Sequence, residues 1–167
     1  MDVSFYLANY LQLRFESASK HIELYIVDGL KKNIAEVMIK DDGVKMDTSD
    51  DSKSESIYDS LSNISEQFNG QIKQLFHKGE TTLTMEWPLD NGEKPELGNF
   101  YSLFAMLMIS NPETHIIFSY ISKKGEYVLD SNKITTNFSK EELFQKETLN
   151  YLNEILKSHL DDVRHFL

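Results

Sequence analysis

Apolar residues recur in this chain at two incompatible spacings, and the two alternate along it. Around residues 4–19, Val3, Leu7, Tyr10, Leu11, Phe15 and Ala18 fall on one helical stripe. A period-two reading of Phe5, Leu7, Leu11, Leu13 and Phe15 competes, but Asn9 interrupts it. The next stretches, Ile22–Val27 and Ile34–Ile39, are β-branched-rich runs parted by Asp28-Gly29, which has the composition of a turn. Asp41-Asp42-Gly43 suggests a second turn into a short strand, Val44–Met46, giving an antiparallel meander. A helix repeats every 3.6 residues and a strand every 2, so one element cannot satisfy both patterns. The opening residues already require a mixed fold.

The same alternation continues. Ser52-Lys53-Ser54-Glu55 matches a capping box, in which Ser52 accepts from a free helix N–H and Glu55 reaches back. Beyond it Ile57, Leu61, Ile64, Phe68, Ile72 and Leu75 recur at helical steps, and Lys78-Gly79 has the chemistry of a helix end. Leu83, Met85 and Trp87 then alternate with polar residues in a strand ending at Pro88, followed by a polar loop at Asp90–Glu96. Leu97–Ile109 is apolar in nearly every direction and predicts a largely buried helix, stopped by Asn111-Pro112. His115–Ile121, a Lys123-Lys124-Gly125 turn and Glu126–Leu129 predict a hairpin.

A second capping box, Ser139-Lys140-Glu141-Glu142, opens the C-terminal helix, with Phe138 and Leu143 placed for a hydrophobic staple. Its stripe runs from Leu149 through Leu152, Leu156, Leu160 and Val163 to Leu167. Unbroken, that helix is about 42 Å long at 1.5 Å per residue. The expected fold is therefore α+β, a single domain over residues 1–167. An antiparallel sheet (meander plus hairpin) packs against three to four helices, including the long C-terminal one.

Charge narrows the function classes. Asp41, Asp42, Asp47, Asp50, Asp51, Glu55, Asp59 and Glu66 stand against only Lys45 and Lys53, within a chain of net charge −10. Glu55 and Asp59 suit the positive end of a helix dipole; Asp41 to Asp51 have no such structural reason. A pI near 4.9 disfavours phosphate-backbone binding and anionic membranes, and favours a basic protein partner. The chain has no cysteine, which excludes disulfide frameworks and thiolate chemistry. The N-terminus has no basic n-region and the longest apolar run, Leu103–Ile109, is too short to span a bilayer, so a soluble, cytoplasmic protein is expected.

No P-loop, dinucleotide fingerprint, nucleophile elbow or HExxH pair is present. His159 with Asp162, and Asp161 with His165, have helical spacings that suit either a metal cluster or a solvated terminal turn. Asp41, Asp42 and Asp47 flank Gly43 without the residue order of a calcium loop. Trp87 has two readings, a core residue or an interface anchor. No cofactor, metal or catalytic residue is assigned. The candidate partner-binding residues are Asp41, Asp42, Asp47, Asp50, Asp51 and Trp87.

In size, charge and element order the whole chain resembles the small acidic immunity proteins of bacterial polymorphic-toxin and contact-dependent inhibition systems. That resemblance implies a cytoplasmic, non-enzymatic inhibitor that binds a basic toxin domain, such as a nuclease, directly. It carries no residue over by position. Residues 4–88 are also similar to class I secretion chaperones, through the helix, meander, helix and the Trp87-Pro88-Leu89 strand end before Tyr101 and Leu103. The Lys123–Gly125 hairpin and the long C-terminal helix depart from that pattern. An alternative function is thus a chaperone binding an extended effector segment, and a second alternative is an enzyme without recognisable motifs.

Overall fold

A computed structural model describes residues 3–30, 33–43, 51–90 and 95–163. Six strands form one sheet: β1 (His21–Asp28), β2 (Ile34–Asp41), β3 (Gln71–His77), β4 (Glu80–Pro88), β5 (His115–Ser122) and β6 (Gly125–Asp130). Their order is β3-β4-β2-β1-β5-β6. The sheet is three consecutive hairpins laid side by side. All pairings are antiparallel except β1 with β5, which run parallel with His21 opposite His115 and Val27 opposite Ile121.

The helices are α1 (Val3–Glu16), α2 (Asp51–Gln67), α3 (Phe100–Ser110), α4 (Ser131–Thr135), α5 (Lys140–Leu143) and α6 (Lys146–Val163). The α+β class and a long C-terminal helix are as the sequence predicts; the sheet is antiparallel as expected except at β1–β5, and α4 and α5 add two short helical turns. The strand side chains sort strictly by period. Along β1, β2 and β4 every second residue is buried while its neighbours are partly exposed. The buried set meets Leu7 and Leu11 of α1, Phe100 and Phe104 of α3, and Leu152, Leu156 and Leu160 of α6 in one core. As its all-round apolarity requires, α3 buries Phe100, Leu103, Phe104, Ala105, Leu107, Met108 and Ile109.

Three expectations change. The stripe beyond Ile57 does not stay helical. After Gln67, Asn69 adopts φ 55°, its N–H bonds the Glu66 carbonyl at 3.0 Å and the Gly70 N–H bonds Ser65 at 2.8 Å. That pattern is a helix-terminating Schellman arrangement. Ile72 and Leu75 then lie on opposite faces of β3, and Leu75 is 65% exposed. Lys78 (φ 49°) and Gly79 (φ 84°) close no helix; they are the two left-handed residues of a tight β3–β4 hairpin.

Secondly, the meander's third position, beside β2, belongs to β4; Val44–Met46 lie outside the described residues. Thirdly, the C-terminal helix is broken at Phe144 and Gln145. The capping box at Ser139 and Glu142 is formed, but it caps α5 alone. The separate 18-residue α6 is about 27 Å long. No helix among the described residues is long and apolar enough to cross a membrane.

Candidate functional site

Asp41 lies at the end of β2 and is 2% exposed. Arg14, equally buried on α1, grips it with two hydrogen bonds, Nε to Oδ2 at 2.9 Å and Nη2 to Oδ1 at 2.7 Å. The Ser19 hydroxyl and the Gly43 N–H also donate to Oδ1, both at 2.9 Å. Arg14 Nη2 donates in addition to Thr81 Oγ1 at 3.1 Å. Asp41 therefore does not meet a partner; it ties α1, β2 and β4 together. A sequence cannot distinguish this carboxylate from its neighbours, because its counter-ion stands 27 residues away.

Trp87 is likewise corrected. It is 1% exposed and belongs to the core, as period-two alternation along β4 dictates. Gly70 packs so closely on it that a Cβ there would sit 2.4 Å from Trp87 Cδ1. Asp42 is exposed, and its Oδ1 accepts from the Lys20 and His21 N–H groups at 2.8 and 2.9 Å. Asp51 is the first residue of α2, while Asp47 and Asp50 lie outside the described residues.

Among the described residues, the C-terminal His–Asp spacing assembles no metal cluster. His159 stacks on Tyr127 with centroids 5.2 Å apart and donates from Nδ1 to the Ile155 carbonyl at 2.8 Å, and Asp161 takes Lys157 Nζ at 2.7 Å. His165 lies outside the described residues. Among those residues, no group of three or more His, Asp or Glu is arranged to hold a metal ion. A pocket of about 290 Å³ at the start of β3 is lined by Ile34, Asn69, Gly70, Gln71, Glu86, Trp87 and Pro88. Its one carboxylate, Glu86, accepts from Gln71 Nε2 at 2.6 Å, so no pair of titratable groups converges there.

What the sequence did not single out is the second face of the sheet. The burial alternation leaves one side of β1, β2 and β4 only partly buried. The strand register brings these side chains into rows. One row reads Gln71, Glu86, Glu36, Val27, Ile121 and Glu126 from β3 to β6. The next crosses Met38, Tyr25, the buried Ser119 and Val128, the last 52% exposed. Over the whole face, Glu23, Glu36, Glu80, Glu86, Glu126 and Asp130 stand against Lys40 and Lys73. Glu36 is directly opposite Glu86, and like charges in that position cost stability.

At one end of this face lies a chain of titratable groups. Tyr25 Oη donates to Glu23 Oε2 at 2.5 Å, and Glu23 Oε1 meets His21 Nε2 at 2.9 Å. His21 Nδ1 meets His115 Nδ1 at 3.1 Å, and His115 Nε2 meets Asp130 Oδ1 at 2.9 Å. The hydrogen bond from His21, then that from Tyr25, holds the Glu23 carboxyl below its ordinary range. The same carboxylate, accepting from Tyr25, pushes the phenol up to about 12. Partial desolvation raises Asp130, but the bonds from His115 and the Asn132 N–H outweigh it and hold the carboxyl low. His21-x-Glu23-x-Tyr25 was legible as one strand face; that His115 joins it required the parallel pairing of strands 94 residues apart.

The chain matches no protein-family model, and no curated protein matches it.

Proposed function

We propose that this chain is a cytoplasmic, non-enzymatic binding protein that docks on a basic protein partner through the open face of its sheet. Within that class, the reading is an immunity protein that neutralises a cognate toxin domain by direct contact. The observation that carries it is the composition of that face: among the described residues, Glu23, Glu36, Glu80, Glu86, Glu126 and Asp130 stand with Lys40, Lys73 and the His21–His115 pair around Val27, Met38, Ile121 and Val128. An apolar centre with a charged rim is the anatomy of a protein interface. A cationic partner is favoured by attraction at long range. Exposed Asp42, at the end of β2, extends the same negative surface. The acidic segment after it remains part of the proposal only through that residue.

The test takes its candidate partner from the neighbouring gene: a large toxin-like product there supplies the ligand, and a secretion effector there would favour the chaperone reading instead. Association is measured by stopped flow for the wild-type chain and for the triple variant Glu36→Lys, Glu86→Lys, Glu126→Lys, with folding checked by circular dichroism. Electrostatic steering changes association rates by about 10- to 1,000-fold. The variant should associate at least about tenfold more slowly at low salt, with a flattened salt dependence. An unchanged rate and salt slope in a folded variant would sink the assignment of this face.

A further inference from the structure

We infer that His21 and His115 share a single proton and form an acid-released clasp between the central β1–β2 hairpin and the β5–β6 hairpin. The inference begins with what a carboxylate can do. Glu23 Oε1 and Asp130 Oδ1 only accept hydrogen bonds when ionised, so the ring nitrogens facing them, both Nε2, carry hydrogen. That leaves the two Nδ1 atoms facing each other at 3.1 Å. Two lone pairs at that distance repel, and so do two N–H groups. The contact is attractive only with one proton between them. Three protons on four ring nitrogens make the pair an imidazolium hydrogen-bonded to an imidazole.

The surroundings favour that single positive charge. On β1, Glu23 and Tyr25 lie beside it; on β2, Lys40 stands opposite Glu23, and Asp42 just beyond binds the Lys20 and His21 N–H groups. From β6 comes Asp130, with Lys133 of α4 near enough to help hold that carboxyl low. The neighbours on the same face of β5, Ile117 and the buried Ser119, carry no charge.

A second proton on the pair sets N–H against N–H and abolishes the clasp. It does so at the first register position of the parallel β1–β5 seam, where His21 is opposite His115. The β5–β6 hairpin then loses a side-chain tie to the centre of the sheet. If the open face docks on a basic partner, the same proton adds an unfavourable positive charge to it; this consequence alone rests on the proposed function.

The test uses the full chain without a partner. Ring ¹⁵N and ¹H signals of His21 and His115 are followed by NMR from pH 8 to pH 4 in wild type, His21→Gln and His115→Gln. Backbone amide exchange in β5 is measured across the same range. In the wild type both rings should respond together, in two coupled steps, because the pair and not either ring alone takes up the proton. Coupling between the Nδ1 atoms should be visible between those steps. Below the second step, β5 amides should exchange at least tenfold faster than intrinsic acid effects account for. In either variant the remaining histidine should titrate in one step and the acid-dependent exchange should disappear. Independent single-step titrations in the wild type overturn the clasp, and that readout survives even if a variant fails to fold. Because no partner enters, a failed clasp and a failed docking face are told apart.

Discussion

Replacing Asp41 tests the claim that an acid in a conspicuous charge run is structural. In the folded chain the Arg14 and Asp41 side chains are 3% and 0% exposed. Asp41→Ala leaves that guanidinium buried without its counter-ion and strands donors from Ser19 and Gly43. Breaking a buried pair from one side costs about 3–5 kcal/mol. That is a large share of the roughly 5–15 kcal/mol that holds a domain together. With a urea slope of about 2 kcal/mol/M, a loss of about 4 kcal/mol moves the midpoint down by about 2 M. The single tryptophan, Trp87, is 1% exposed and reports unfolding by fluorescence. Arg14→Met with Asp41→Leu should cost less than the two single changes summed, by about 0.5–3 kcal/mol, because neither charge is then left alone. It should not be neutral, since Ser19 and Gly43 still lose their acceptor. A midpoint shift below about 0.5 M for Asp41→Ala, or strict additivity in the pair, would refute the reasoning.

Other contacts in the fold carry further expected outcomes. Gly70→Ala should destabilise by about 1–3 kcal/mol in urea titration, because its Cβ would meet Trp87 Cδ1 at 2.4 Å and the Glu86 carbonyl at 2.5 Å. Glu23 and Asp130 are held below the ordinary carboxylate range when folded, so their stabilisation is present above the unfolded value and lost as pH falls through the folded one. Glu23→Gln and Asp130→Asn should therefore flatten the fall in thermal midpoint on the acid side. At the other extreme, burial pushes the Tyr10 phenol well up, so unfolding releases its proton more readily as pH rises past about 10. Tyr10→Phe should reduce the alkaline loss of stability followed by circular dichroism. Asp42→Asn, at an exposed site, should shift the urea midpoint far less than Asp41→Ala.

The periodic elements were legible because their signal is local. The alternation in Ile22–Val27 and Ile34–Ile39, the all-round apolarity of α3, the Lys123–Gly125 hairpin and the Ser139 cap are each decided by a few neighbouring residues. Where two local signals conflicted, spacing misled. Ile72 and Leu75 fit a helical stripe, yet Asn69 in the left-handed region and Gly70 against Trp87 end the helix before them. The candidate site was less legible still. Asp41 carries no sequence mark of burial, although the β4 alternation marked Trp87, and the open face exists only as rows across strands.

By itself, the sequence determined an α+β domain, most of its strands and helices with the Ser139 cap, and a net charge of −10. Those properties depend on side chains within a few residues of one another or on totals over the chain. Only the tertiary structure decided which acids are surface and which are mortar, because Arg14 reaches Asp41 through the packing of α1 on β2. It also decided that β1 and β5 run parallel, setting His21 against His115 and collecting the glutamates of separate strands on one face. Pairing between distant strands is fixed by how hairpins bury their apolar sides together, and no local pattern encodes it.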